Sequence, residues 1–217
     1  MVIAAHPDDE LLGVGGTVRR HVLMGDAVHS IILCESETVR YQDRNIPMEE
    51  FVNKAAKILG TTVEFVNYPD QRLEEIALVQ IAGEIEKRVK NIKPQIVYSQ
   101  FCGDINLDHK RAFDATLLAT RPMADFVQAV YAFETCSSTE WAWPQQFHPD
   151  TFIDISDTLE TKIEAFAAYV SEVREWPHPR SLESLRYRAK YFGSIACMDA
   201  AEPFITIRSY KRKHGQL

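Results

Sequence analysis

The stretch Met1-Val-Ile-Ala-Ala-His-Pro-Asp-Asp-Glu10 runs the apolar residues Val2 to Ala5 straight into an imidazole and three carboxylates. A short apolar run that breaks off into polar residues and then takes up a helical pattern reads as a buried strand feeding a helix. His6, Asp8 and Asp9 then stand at the carboxyl end of a strand, where open α/β sheets collect ligands and chemistry. One imidazole and one carboxylate are ligands for a divalent metal, and a second carboxylate can serve as a base. Helix capping and the first-turn preference for acids account for one of these carboxylates, or two. They account for neither the histidine nor the crowding.

His6-Pro7-Asp8-Asp9-Glu10, followed by Gly13-Val14-Gly15-Gly16, resembles the opening motif of the LmbE/PIG-L family. The resemblance implies a zinc-dependent deacetylase acting on N-acetylglucosaminyl compounds and related amides. It also implies a three-layer α/β/α, Rossmann-like fold with a mostly parallel sheet.

Outward from the motif, strand-like and helix-like segments alternate. A helix is expected over 10–24, a strand over 28–33, a helix over 48–59 and a strand over 63–66. A long amphipathic helix over 74–91 follows, with Ile76, Val79, Ile81 and Ile85 as its apolar positions. Pro94 restarts the chain into a strand over 96–98, then come a helix over 108–121 and a strand over 128–133. Short strands alternating with helices imply right-handed crossovers and a parallel sheet covered on both faces. Residues 134–150 break the rhythm with Trp141, Trp143, Phe147 and His148, and read equally as a binding wall or as a packed surface or subunit contact. A strand over 151–155, helices over 159–173 and 182–195, and a strand over 204–207 complete the chain. With no linker or repeat, residues 1–217 are expected to form one domain.

The 217 residues suit a single α/β domain, and the net charge of −7 argues against affinity for nucleic acid or an anionic membrane. The basic tail from Arg208 to His214 reads as a solvated terminal charge run, with a contact to a polyanionic carrier group on a substrate as the alternative. The four cysteines are far apart and form no C-x-x-C pair, so buried thiols in a reducing compartment are expected. The charged motif arrives too early for a signal peptide, and no apolar run is long enough to span a bilayer. A soluble, cytoplasmic protein is expected from these features; the family resemblance implies an enzyme with a small-molecule amino-sugar substrate, and a homo-oligomer is compatible with it.

A second polar segment, Asp104-Ile-Asn-Leu-Asp-His109, follows the strand over 96–98 and opens a helix. His109 thus occupies the same kind of position as His6, and two such crossings from neighbouring strands can bring His6, Asp9 and His109 together. Two histidines, one carboxylate and an open position are an arrangement of hydrolytic zinc sites. The family resemblance assigns these three as ligands of one Zn2+, with another divalent metal as the alternative, and Asp8 as general base. Asp108 either orients a ligand histidine or caps the helix, and Glu10 is a first-turn acid or a histidine's partner. The resemblance weakens at Asn106, where some members carry a histidine able to stabilise the oxyanion. Asn106 can donate a hydrogen bond but cannot shuttle a proton. Pro69-Asp70-Gln-Arg-Leu73 and Arg40 resemble stretches that bind substrate in the family.

His178 lies in Trp176-Pro-His-Pro-Arg-Ser181, where prolines on both sides restrict the backbone. Such a frame suits an oxyanion or leaving-group partner, or else a histidine that fixes a turn. A dinucleotide fingerprint at Gly13-Val-Gly-Gly16 fails on spacing, and close packing of helix on sheet explains these glycines better. Two rivals remain, an amidohydrolase for a non-sugar N-acyl substrate and a Rossmann-like binding protein without turnover.

Overall fold

The computed structural model describes residues 1–35 and 46–211. Arg40 lies outside these residues, as does the tail beyond residue 211. The described strands are β1 (Val2–Ala4), β2 (His29–Cys34), β3 (Thr62–Tyr68), β4 (Ile96–Gln100), β5 (Ala129–Phe133), β6 (Thr151–Asp154) and β7 (Ala201–Ser209). Between them run α1 (Asp9–Leu23), α2 (Met48–Leu59), α3 (Leu78–Ile92), α4 (Leu107–Ala119), α5 (Leu159–Ala167) and α6 (Leu182–Ile195).

One seven-stranded sheet has the order β3-β2-β1-β4-β5-β7-β6. The first five strands are parallel, and β7 runs antiparallel to both β5 and β6. Strands that are apolar on both sides need cover on both faces, and two clusters supply it. Val2 and Ile32 pack with Leu11, Val14, Val52, Leu59, Ile163 and Phe166, from α1, α2 and α5. Ile3, Ile31 and Leu33 pack with Ile81, Ile85, Ala112 and Ala115, from α3 and α4. This is the expected three-layer α/β fold.

Three of the boundaries that differ from the sequence reading change what an element carries. The helix expected over 74–91 is a 3-10 turn at Leu73–Glu75 followed by α3, because Ile76 and Ala77 are extended. The helix expected over 159–173 stops at Ala167, and the turns beyond it carry the buried Tyr169 and Glu172. β7 begins at Ala201, and so includes the buried Glu202. The glycines of α1 serve close packing: a Cβ on Gly13 would lie 2.1 Å from the Phe133 ring, and one on Gly16 2.9 Å from Ile155.

The sheet order places the site. β1 pairs with β2 on one side and β4 on the other, so the connections leaving β1 and β4 diverge there. Crevices of this kind hold ligands in open α/β sheets. His6 follows β1 and His109 opens α4 after β4.

Candidate active site

Asp8, at the N-cap of α1, has a φ of 94° and makes no side-chain capping bond. A non-glycine residue with that backbone is strained by roughly 1–3 kcal/mol, a cost characteristic of active sites and ligand clamps. Its backbone N–H donates to Glu10 Oε2 at 3.0 Å, and Tyr169 Oη donates to Glu10 Oε1 at 2.6 Å. Glu10 therefore braces the motif's own backbone rather than a histidine, and burial pushes its pKa up to about 7. The Asp8 carboxylate is met from across the fold by Arg180, whose Nη1 lies 2.8 Å from Asp8 Oδ2 and 2.8 Å from Glu172 Oε2. Arg180 Nε donates to Ser137 Oγ at 2.8 Å. Burial alone would lower the Arg180 pKa, but Asp8 and Glu172 more than offset it and keep the guanidinium charged.

Next to Asp8, the three expected ligands meet. His6 Nδ1 is 3.3 Å from His109 Nε2 and 3.3 Å from Asp9 Oδ2, while His109 Nε2 is 3.4 Å from the same oxygen. All three residues are buried. Asp9 Oδ2 is aimed by the His6 backbone N–H at 2.9 Å and by Gln100 Nε2 at 2.7 Å, and Gln100 Oε1 in turn accepts the Ala5 N–H. Each imidazole has a carboxylate on its other nitrogen: Asp108 Oδ2 at 2.9 Å from His6 Nε2, and Asp104 Oδ2 at 3.2 Å from His109 Nδ1. Such outer carboxylates fix ring orientation in metal sites. Asp104 is itself held by the Ser138 and Thr139 hydroxyls.

The donor set fits a divalent ion. Two imidazole nitrogens and a carboxylate oxygen converge within 4.8 Å, and Asp9 Oδ1 is buried with no hydrogen-bond partner among the described residues. Against burial, Asp9 and Asp104 push the His109 pKa up to about 9. Burial also opposes an ionised Asp9, yet His109 and His6 hold its carboxyl well below the usual carboxylate range. Excess negative charge in a dry site is what a cation neutralises.

The remaining expected residues are dispersed around this centre. Asp70 is buried with Oδ1 3.3 Å from His6 Nε2. Asn106 caps α4, its Oδ1 accepting the Asp108 N–H at 2.8 Å. His178 accepts the Arg180 N–H on Nδ1 at 3.0 Å and stands edge-on to Trp141, 6.3 Å between ring centroids. A neutral His178 thus carries its proton on Nε2, and burial followed by the Arg180 charge lowers its pKa. Among the described residues no hydrogen bond or ion pair joins it to His6, Asp9 or His109.

Sequence reasoning missed Gln100, Glu172, Tyr169 and above all Arg180. Arg180 sits in the proline-framed segment two residues after His178, while Tyr169 and Glu172 fall where the sequence pattern reads as a continuing helix. Asp104, four residues after Gln100, was readable as part of the Asp104–His109 segment.

Comparison with known proteins agrees with the family that the opening motif resembles. The model of the PIG-L family, described as GlcNAc-PI de-N-acetylase, matches residues 1–120, just over half of the chain. The chain belongs to this family, the metal-dependent N-deacetylases that its opening motif resembles. It is 28% identical over 203 residues to the 4-oxalmesaconate hydratase of Pseudomonas putida, covering 82% of this chain and 75% of that protein. It is 27% identical over 154 residues to the uncharacterized deacetylase YaiS of Escherichia coli, covering 68% and 79%. The crystal structure of the conserved protein TT1542 from Thermus thermophilus superposes with a TM-score of 0.79 at 22% identity, covering 97% of this chain and 96% of that one. That likeness concerns the fold. Among the described residues no helix is long and apolar enough to cross a membrane.

Proposed function

We propose that the protein is a zinc-dependent hydrolase that removes the acetyl group from the amine of an N-acetylglucosamine-type sugar or sugar conjugate. The observation carrying this reading is the convergence of His6, Asp9 and His109 in a buried site beside a strained Asp8. A zinc ion held by these three would supply Lewis acidity to the acyl carbonyl and lower the pKa of water. Asp8 takes the proton of the attacking water as its oxygen adds to the carbonyl carbon. The resulting carboxylic acid returns that proton to the amine nitrogen as the C–N bond breaks, giving free amine and acetic acid, whose own proton then passes to the amine or to solvent. Arg180 and Glu172 hold Asp8 in place. His178 Nε2 or the Asn106 amide donates to the oxyanion, and Arg40 and Asp70 bind sugar hydroxyls.

Charge favours this chemistry over the hydration named for the Pseudomonas relative. Asp8, Asp9, Asp70, Asp104, Asp108 and Glu172 gather around one guanidinium and two imidazoles, and even a bound divalent ion would leave the site short of positive charge. Such a site accepts a neutral amide and a product amine, which takes up a proton, more readily than an anionic substrate. The four unpaired cysteines fit a cytoplasmic setting.

Asp8→Asn should retain bound zinc and lose turnover by about 10²–10⁴-fold, because an amide cannot take the proton. Metal analysis and amine release from N-acetylglucosamine conjugates check this, with non-sugar N-acyl amines and unsaturated dicarboxylates assayed in parallel. Near-normal turnover of the variant would remove Asp8 as the base. Exclusive action on a dicarboxylate would replace deacetylation by hydration.

A further inference from the structure

His6 offers one nitrogen to each of two ligand groups. Its Nδ1 faces His109 and Asp9, as described above. Its Nε2 lies 2.9 Å from Asp108 Oδ2, and Cys34 Sγ lies 3.6 Å from that same oxygen. Ligand atoms of His6, Cys34 and Asp108 fall within 4.8 Å of one another, and all three residues are buried. Tetrahedral coordination at ordinary zinc bond lengths sets ligand atoms about 3.3–3.8 Å apart, so only small side-chain movements would close this group on an ion. Asp70 Oδ1, 3.3 Å from His6 Nε2, stands as a fourth donor. The proposed deacetylation makes no use of the Cys34 thiol.

We propose that His6 Nε2, Cys34 Sγ and Asp108 Oδ2 form a second metal site for a thiophilic divalent ion, cadmium or zinc in excess, and that filling it inhibits the enzyme. The thiolate sets the preference, since soft sulfur selects zinc-like and softer ions over magnesium or calcium. Inhibition follows from the shared imidazole. With Nδ1 given to the first ion, the ring proton sits on Nε2 and is donated to Asp108, which orients His6. An ion at the second group displaces that proton and the thiol proton into solvent and takes the Asp108 oxygen for itself. His6 then loses its outer carboxylate and shares its electron density between two cations. The proposal rests on His6 as a ligand of the first ion, not on the identity of the substrate.

The test uses enzyme loaded with one equivalent of zinc, in a Cys102→Ser/Cys197→Ser background that removes the two exposed thiols. Cadmium is titrated in while bound zinc and cadmium, the near-ultraviolet thiolate-to-cadmium charge-transfer band and turnover are measured together. The expected result is one bound cadmium with zinc retained, a charge-transfer band, and a fall in turnover of about tenfold or more. In Cys34→Ser, and again in Cys34→Ala, the band should vanish and turnover should no longer respond to the same cadmium concentration. Cadmium that replaces zinc one for one, binds without the band, or inhibits the Cys34 variants equally would overturn the site and leave Cys34 a small buried hydrophobe. Failure to hold the first zinc would instead count against the proposed hydrolase, and the band in metal-free protein would still decide the role of Cys34.

Discussion

Asp8 combines a backbone φ of 94° with an ion pair to a residue 172 positions away. The surrounding bonds from Glu10, Arg180 and, through them, Tyr169, Glu172 and Ser137 hold that conformation against its strain. Arg180→Met removes the guanidinium that pairs with the buried Asp8 and Glu172 carboxylates. A loss of about 3–5 kcal/mol in denaturant unfolding is expected, with turnover falling as well. Arg180→Met unfolding at the wild-type midpoint would show that the pair carries no stability. His178→Ala is expected to cut turnover about 10²-fold with metal content unchanged. Normal kcat in that variant would take the imidazole out of the reaction and leave Asn106 as the donor.

The helix α1 delivers the opening motif, and its middle is clamped by polar groups from distant elements. Glu202 of β7 accepts the N–H groups of Gly16 and Thr17 at 2.9 and 2.7 Å. Lys162 of α5 donates to Leu12 O at 2.9 Å and to Glu202 Oε1 at 2.6 Å. Both side chains are buried, so removing one partner strands the other's charge. Lys162→Met should destabilise the fold by about 3–5 kcal/mol, and Glu202→Gln in the same chain should recover part of that loss. Urea titrations of the single and double variants measure both effects, and a fully additive double variant would argue against a coupled clamp. The glycines fit the same picture, since Gly13 and Gly16 bring α1 close to Phe133 and Ile155.

Across the described residues, two apolar clusters cover the sheet on both faces independently of the proposed ligand residues. A core of that extent does not depend on a metal to fold. Treatment with a strong chelator should therefore abolish turnover while leaving the far-ultraviolet circular dichroism and a cooperative thermal transition in place. Readdition of zinc should restore activity. Global unfolding on chelation would mark the metal as structural and count against a catalytic site.

What the sequence determined by itself is local. The break from Val2–Ala5 into His6–Glu10 announces a strand-to-helix crossing with its candidate ligands, and the Asp104–His109 segment announces a second. Alternating strand and helix periods imply the covered parallel sheet, because both periods are properties of neighbouring residues. Tertiary structure decided the rest. Pairing of β1 with β4 brings His6 to His109 across 103 residues, and the antiparallel β7 between β5 and β6 carries Glu202 under α1. The early end of α5 frees Tyr169 and Glu172 to turn toward Glu10 and Arg180, against a pattern that reads as continued helix. Arg180 shows no periodicity, spacing or motif that points to Asp8. Such contacts arise from packing between segments far apart in the chain, and the local pattern around each partner carries no trace of the other.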